Sequence, residues 1–201
     1  MRKITTVSGM VLAGGLSTRI GKDKGQLALG KATLAGRSLE NLGTLFEELI
    51  YVTNDPFSAP ALPGMRVAKD DVPHLGPLGG ILAGLKVSQA PRSFVVGYDM
   101  PFVSPDLVRF LIEFDAGADV VVPSVKGHLE PLHAVYSRAC VPFIAKTLEA
   151  GRNRIVDFYE NVSVSVVGEA DVLRIDPELR SFFNVNTLAD LELAARMIGE
   201  A

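Results

Sequence analysis

The chain has a single cysteine, Cys140, so it can form no internal disulfide, and no second cysteine or neighbouring histidine suggests a zinc knuckle. A reducing compartment fits this. Nowhere does an apolar run approach the roughly 18 to 20 residues that a membrane span requires. Residues 1–7, MRKITTV, begin with cations but lead into no apolar run with a small-residue cleavage site. A soluble, cytoplasmic protein is the expectation. Charge of one sign is also lacking: a net charge of -3 argues against a general nucleic-acid binder and leaves the basic residues to act locally. No convincing Ser-His-Asp or Cys-His set, internal repeat, linker or low-complexity tract is present. At 201 residues the chain is long enough for one sizeable core and too short for two full domains, so one domain, 1–201, is expected.

What is present is a chain 48% apolar with 19 glycines, the composition of a compact α/β protein. Short apolar runs alternate with amphipathic segments, the pattern of strands feeding crossover helices in a mostly parallel sheet. The clearest strands are expected at 8–14, 48–54, 65–71, 93–99, 118–125 and 132–137. Leu34, Leu39, Leu42, Phe46 and Leu49 share one helical face that Thr33 can cap, and SPDLVRFLIEF pairs a Ser cap with Pro105 in the first turn. VVVPSVKGHLEPLHAVYS sets two β-rich runs around a Lys-Gly-His turn and predicts a hairpin or an antiparallel insertion. Beyond it come a helix over 138–150, a short one over 154–160, a β-rich run at VSVSVVG and a final helix capped by Thr187. DPFSAPALPG, 55–64, reads as a proline-rich surface loop.

The chemistry starts with VLAGGLSTRIGKDKG, residues 11–25. A strand ending in Gly14-Gly15 lets the backbone turn sharply and approach a ligand, so that successive N–H groups can surround phosphate oxygens. Arg19 and Lys24 add charge. The string is neither of the common phosphate loops: it lacks G-x-G-x-x-G, and Lys24 is followed by Gly25 where a P-loop needs Ser or Thr. A glycine-rich turn with solvated cations is the other reading. VVGYDMPFVSPDL is a second candidate, an apolar strand that delivers one carboxylate, Asp99, before a proline turn. That suits Mg²⁺, which keeps most of its waters and needs one or two carboxylates plus phosphate oxygens. A plain strand-end turn is the alternative.

The first string resembles the L-A-G-G-x-S-x-R-M-G-x-D-K signature of the molybdenum cofactor guanylyltransferases, a family of cytosolic nucleotidyltransferases. Leu12, Ala13, Gly14, Gly15, Ser17, Arg19, Gly21, Asp23 and Lys24 match it, and Ile20 replaces the usual Met. Further stretches follow in the family's order, so the resemblance covers nearly the whole chain. YVTND supplies Asn54, and VAKDDVPHLGPLGG supplies Asp70 before the G-P-L-x-G turn. In the family these positions contact guanine. A carboxylate can accept from guanine N1–H and the exocyclic amine together, a pair adenine does not offer. Asp70 is preferred over the adjacent Asp71, and capping of strand ends is the competing role for Asn54 and Asp70. VVGYDMP matches the family's aspartate at Asp99.

GHLEPLHAVYS resembles the acceptor-side segment where the pterin substrate binds, making Glu130 and His133 candidates, although a strand histidine is more often structural. Arg152 and Arg154 in AGRNRIVDF could attract an anionic pterin phosphate or be solvated helix ends. FFNVNTLADL resembles F-x-N-V-N-T-P-x-D-L, with Leu188 where proline is usual. Asn184 and Asn186 then face the cleft, or Asn186 and Thr187 only shape a helix cap.

The resemblance implies a Rossmann-like three-layer α/β domain with a mostly parallel sheet and an antiparallel strand or hairpin in its C-terminal half. Nucleotide binding would occupy about 1–100 and acceptor binding about 101–201. It implies GMP transfer from GTP to molybdopterin, with Mg²⁺ on Asp99, catalytic roles for Arg19, Lys24 and Asp99, and hand-over of the product to molybdoenzymes or their chaperones. Two rivals stand beside it. One is a relative using CTP or a sugar-phosphate acceptor, which Gly14-Gly15 disfavours because cytidylyl relatives tend to carry L-A-A-G. The other is a non-catalytic nucleotide-binding module, which had no need to keep both the loop cations and Asp99.

Overall fold

The computed structural model describes residues 2–13, 25, 27–55, 59, 60, 62, 64–69 and 76–199. Strand β1 (Val7–Leu12) is buried at every position, and its side chains divide between two cores. Val7 and Val11 enter one, Met10 and Leu12 the other. A strand apolar on both faces belongs at the centre of a sheet covered on both sides. Gly9 within it leaves room for Phe46, whose ring a Cβ at that position would meet at 2.6 Å.

A small antiparallel hairpin follows, β2 (Ala28–Leu29) and β3 (Ala32–Thr33), turning at Gly30 with φ +68°. The Thr33 hydroxyl then accepts the Gly36 N–H at 3.0 Å and starts α1 (Leu34–Leu45), which buries Leu34, Leu39 and Leu42. Next come β4 (Leu49–Val52), β5 (Met65–Ala68), α2 (Gly76–Val87) and β6 (Arg92–Gly97). Helix α3 (Pro105–Phe114) is capped by the Ser104 hydroxyl, which accepts from Leu107 N–H at 3.4 Å. Strands β7 (Val120–Val125), β8 (His128–Leu129) and β9 (His133–Ser137) lead into a 3-10 turn, Arg138–Cys140, and α4 (Val141–Glu149). A 3-10 helix, Ile155–Asn161, then β10 (Val164–Val167), α5 (Glu169–Ile175), a 3-10 turn, Arg180–Phe182, and α6 (Leu188–Gly199) complete the described chain.

The main sheet runs β10-β7-β9-β6-β1-β4-β5, with β8 paired to β7 outside this path. Neighbours β10 and β7, β6 and β1, β1 and β4, and β4 and β5 pair in parallel, whereas β9 is antiparallel to both β6 and β7. The first core holds Leu39 and Leu42 of α1, Leu107 and Leu111 of α3 and Val172 of α5. The second holds Leu78, Ile81 and Leu85 of α2, Ile144 of α4 and Phe158. These are the three layers that the resemblance implies. Helix α6 packs apart from both, placing Ala194 and the preceding Val185 against Leu29 and Leu34.

The expected elements hold with shifts at their ends. The antiparallel insertion is β8 and β9, and the turn between β7 and β8 is Lys126-Gly127, with φ 51° and 77°. Positive φ at both central residues gives a turn whose twist matches that of the strands. The run expected at 65–71 is a strand only over Met65–Ala68, and its residues 70 and 71, like residue 14 of the run at 8–14, lie outside the described residues. The β2-β3 hairpin and α5 were not anticipated.

Candidate functional site

Four parallel strands end in register. Leu12 of β1 pairs with Gly97 of β6 on one side and with Val52 of β4 on the other, and Val52 pairs in turn with Ala68 of β5. One residue further, Tyr98 N–H donates to Leu12 O at 3.0 Å, Ala13 N–H to Val52 O at 2.8 Å and Thr53 N–H to Ala68 O at 3.0 Å. The row Gly97, Leu12, Val52, Ala68 therefore has one continuation, and two residues past it stand Asp99, Gly14, Asn54 and Asp70 in the sequence. Asp99 is half-buried and Asn54 exposed. Gly14, Gly15, Arg19, Lys24 and Asp70 lie outside the described residues, and so does Asp71. Strand β1 leads through α1 to β4 on one side, and α2 brings the chain back to β6 on the other. Such a reversal of strand order, at the carboxyl ends of parallel strands, is where open α/β sheets bind ligands.

The Asp99 turn is held from several directions. Its carboxylate lies over Gly97, where a Cβ would come within 2.6 Å of Oδ1, so only glycine leaves the acid this position. The buried Ser38 hydroxyl on α1 donates to Tyr98 O at 3.0 Å and approaches Met100 O at 3.5 Å, and Asn41 Nδ2 donates to Pro101 O at 2.9 Å. Val185 N–H donates to Asp99 O at 2.9 Å. Ser38 and Asn41 escaped the sequence reading. The usable signal was a polar residue at 38 on the same helical face as Leu34 and Leu42, four residues from each.

The structure brings Asn184 and Asn186 to this turn, since they flank Val185. Asn184 is half-buried and its Nδ2 donates to Phe182 O at 3.1 Å. Asn186 N–H and Thr187 N–H both donate to Asp190 Oδ2, at 2.9 and 2.8 Å, while Thr187 Oγ1 accepts from Asp190 N–H at 3.1 Å. The helix-cap geometry is thus present at the start of α6. Arg152 and Arg154 are exposed beyond α4: Arg152 pairs with Glu160 at 3.0 Å, and Arg154 N–H donates to Asp157 Oδ2 at 3.1 Å.

On the far side of β9 a cleft of about 410 Å³ opens between Lys126, His128 and Glu130 on one wall and Leu179, Arg180 and Phe182 on the other. Glu130 is half-buried there, and burial pushes its carboxyl up, opposed by His128. His133 does not reach the cleft surface. Its side chain has no exposure, its ring sits edge-on to Phe94 at 5.0 Å and tilted against Phe182 at 4.9 Å, and neither ring nitrogen has a hydrogen-bond partner among the described residues. Burial pulls its pKa down to about 3 against the pull of the Asp176 carboxylate. At neutral pH it is an uncharged core ring behind Phe182.

Comparison with known proteins adds to this geometry. A family model for the MobA-like NTP transferase domain matches residues 9–163. A probable molybdenum cofactor guanylyltransferase of Pelotomaculum thermopropionicum is 38% identical over 193 residues, covering 96% of this chain and 93% of that protein. The molybdenum cofactor guanylyltransferase of Desulfosudis oleivorans is 34% identical over 194 residues, covering 96% of both chains. Among solved structures, molybdopterin-guanine dinucleotide biosynthesis protein A of Archaeoglobus fulgidus superposes with a TM-score of 0.83 at 28% identity, over 97% of this chain and 100% of that one.

Proposed function

The chain belongs to the MobA-like NTP transferase family, and on that footing we propose that it transfers GMP from GTP to molybdopterin, giving molybdopterin guanine dinucleotide and pyrophosphate. The molybdenum carried by the acceptor is cargo. An oxygen of the acceptor phosphate attacks the α-phosphorus; a new P–O bond forms, the α–β bond breaks, and the electron pair leaves with pyrophosphate. No protein nucleophile is needed, so the protein's work is alignment and charge neutralisation.

One observation supports the reading: β6, β1, β4 and β5 end in one register row, and in the sequence the chain runs on from that row to Asp99, to the glycine and cation loop, to Asn54 and to the Asp70 segment. In this reading Leu12, Ala13, Gly14 and Gly15 with Lys24 take the nucleotide's phosphates, Asn54 and Asp70 its guanine, and Arg19 and Lys24 the charge of the departing pyrophosphate. Asp99 is the residue to hold Mg²⁺. A half-buried carboxylate set over a glycine fits an ion that takes its remaining ligands from phosphate and water. Bound there, Mg²⁺ supplies positive charge to the phosphate oxygens. Glu130, Asn184, Asn186, Arg152 and Arg154 are the acceptor-side residues, and His133 serves that side by backing Phe182.

We read the chain as one nucleotidyltransferase domain, 1–201, with nucleotide and acceptor halves meeting near residue 100. A cytoplasmic site of action and delivery of the product to molybdoenzymes or their chaperones complete the proposal. No helix among the described residues is long and apolar enough to cross a membrane, which is compatible with that location. Pyrophosphate release by the purified protein, measured with molybdopterin, Mg²⁺ and either GTP or CTP, tests the reading. Release with GTP and little with CTP is expected. Preference for CTP would overturn the guanylyl assignment, and no release with either would favour a binding module.

A further inference from the structure

Residues 98–104, which carry Asp99, form neither helix nor strand, so their place depends on ties from other parts of the chain. On one side these are Ser38 and Asn41 of α1, which act on the carbonyls of Tyr98, Met100 and Pro101. On the other side a strap formed by residues 181–185 runs antiparallel to the Asp99 segment. Ser104 N–H donates to Ser181 Oγ at 3.1 Å, the rings of Phe102 and Phe183 meet edge-on with centroids 5.9 Å apart, and Val185 N–H donates to Asp99 O at 2.9 Å. Of these ties the last acts on Asp99 itself.

Both ends of the strap are anchored. At its start the buried Asp176 carboxylate accepts from Arg180 N–H at 3.1 Å and from Ser181 N–H at 2.8 Å, while Phe182 turns the other way, onto His133. At its end Val185 is fully buried in a third, smaller core with Leu29 of β2, Leu34 of α1 and Ala194 of α6, and Leu191 and Ile198 pack against them. Leu34 N–H donates to Leu27 O at 3.0 Å, which ties the β2-β3 hairpin to the start of α1. In the sequence that hairpin follows directly on the glycine and cation loop. Val185 therefore grips two parts of the edge at once, the Asp99 turn through its backbone and the hairpin through its side chain. A β-branched side chain enclosed in a close-packed core is stiff about χ1 and leaves its own N–H little freedom.

We propose that Val185 is a positioning residue of the transfer reaction: its side chain locks the strap into the third core, and the strap's N–H then fixes the Asp99 backbone relative to the hairpin. Helix α6, which supplies Ala194, Leu191 and Ile198 to that core, acts as the clip that holds the arrangement shut. The proposal rests on the transfer reading for the task of Asp99, which is to hold Mg²⁺ against the phosphates. Loosening the clip leaves the rest of the nucleotide site in place and degrades the alignment of that one carboxylate.

The test compares the full-length wild type with Val185→Ala and with Val172→Ala, a control that trims a fully buried valine of the first core, on α5. The readout is the affinity for a fluorescent GTP analogue with and without Mg²⁺, followed by transfer kinetics. Val185→Ala is expected to keep the metal-free affinity, to lose roughly fivefold in the gain that Mg²⁺ confers and to lower kcat about tenfold, short of the roughly 100-fold that a 1 Å misplacement costs. Val172→Ala should melt at a similarly lowered temperature and change neither. An undiminished Mg²⁺ gain in Val185→Ala, or an equal loss of it in Val172→Ala, would overturn the proposal. Should Val185→Ala not fold, Leu191→Ala, which trims a wall of the same core, must show the loss instead, and an undiminished gain there would overturn the proposal equally. A wild type whose GTP affinity is indifferent to Mg²⁺ would remove the metal reading of Asp99 and the clip with it. A wild-type gain that Val185→Ala leaves intact would remove the clip alone.

Discussion

The two ends of the sheet's carboxyl edge are built by different means. At the Asp99 end, backbone does the placing: four parallel strands stop in one register row, and Asp99 and Asn54 stand two residues past it on neighbouring parts of one edge. At the Glu130 end, segments about 50 residues apart in sequence meet, the Lys126-Gly127 turn with its following strand against Leu179–Phe182, and their side chains make the cleft. The difference teaches where each half tolerates change. The first end depends on the small groups that fix one turn. The second depends on packing between segments, so its shape can shift without disturbing the sheet.

The largest effect should come from the residue on which the first end converges. Asp99→Ala is expected to lower kcat by about 1,000-fold or more, the upper range for one preorganised electrostatic contact, while GTP binding partly survives. Steady-state transfer alongside equilibrium GTP binding measures both. Gly97→Ala comes next. Its Cβ would lie 2.6 Å from Asp99 Oδ1, so the acid must shift, and a displacement of about 1 Å at a reacting centre costs about 100-fold in rate. A variant with normal turnover would show that the carboxylate's place over Gly97 is incidental.

Ser38→Ala leaves the Tyr98 carbonyl short of its 3.0 Å donor. It should cost about 1–3 kcal/mol of stability together with a smaller, roughly tenfold drop in kcat; a melting scan and the transfer assay read the two separately. An effect on stability alone would make Ser38 a core residue only.

The smallest effect tests the second end through pH. His133 titrates near 3 in the fold against 6.5 ordinarily, so between those values the unfolded chain holds more protons. Its contribution is therefore fully present above about pH 6.5 and drains as pH falls toward 3, at a limiting slope of about 1.4 kcal/mol per pH unit. Denaturant unfolding of His133→Leu across that window should show a flatter dependence on pH than the wild type. Parallel curves would place the imidazole in contact with solvent.

The same contrast decides what could be read beforehand. Strands β1, β4 and β6 were legible because each is an apolar run ending at a glycine or polar residue, and Asp99 stood out as an acid at such an end. The Thr33 and Ser104 caps were legible because capping is local. The β2-β3 hairpin was not, since two-residue strands carry no periodicity, and α5 is seven residues long with no side-chain cap. Ser38 was hidden among leucines on the face it shares. His133 was visible as a strand histidine, but its enclosure by Phe94 and Phe182 depends on a segment almost 50 residues further on. The cleft is assembled from distant segments: Glu130 on one wall was named beforehand, whereas Leu179 and Arg180 on the other were not.

The central claim is that strand register gathers a polyphosphate loop, a base-reading segment and a metal-holding acid at one edge of the sheet. A crystal structure with GTP and Mg²⁺ tests it most directly. The account predicts the triphosphate over the carboxyl end of β1, with the ion on Asp99. A triphosphate bound elsewhere, or an ion that leaves Asp99 uncoordinated, would contradict it.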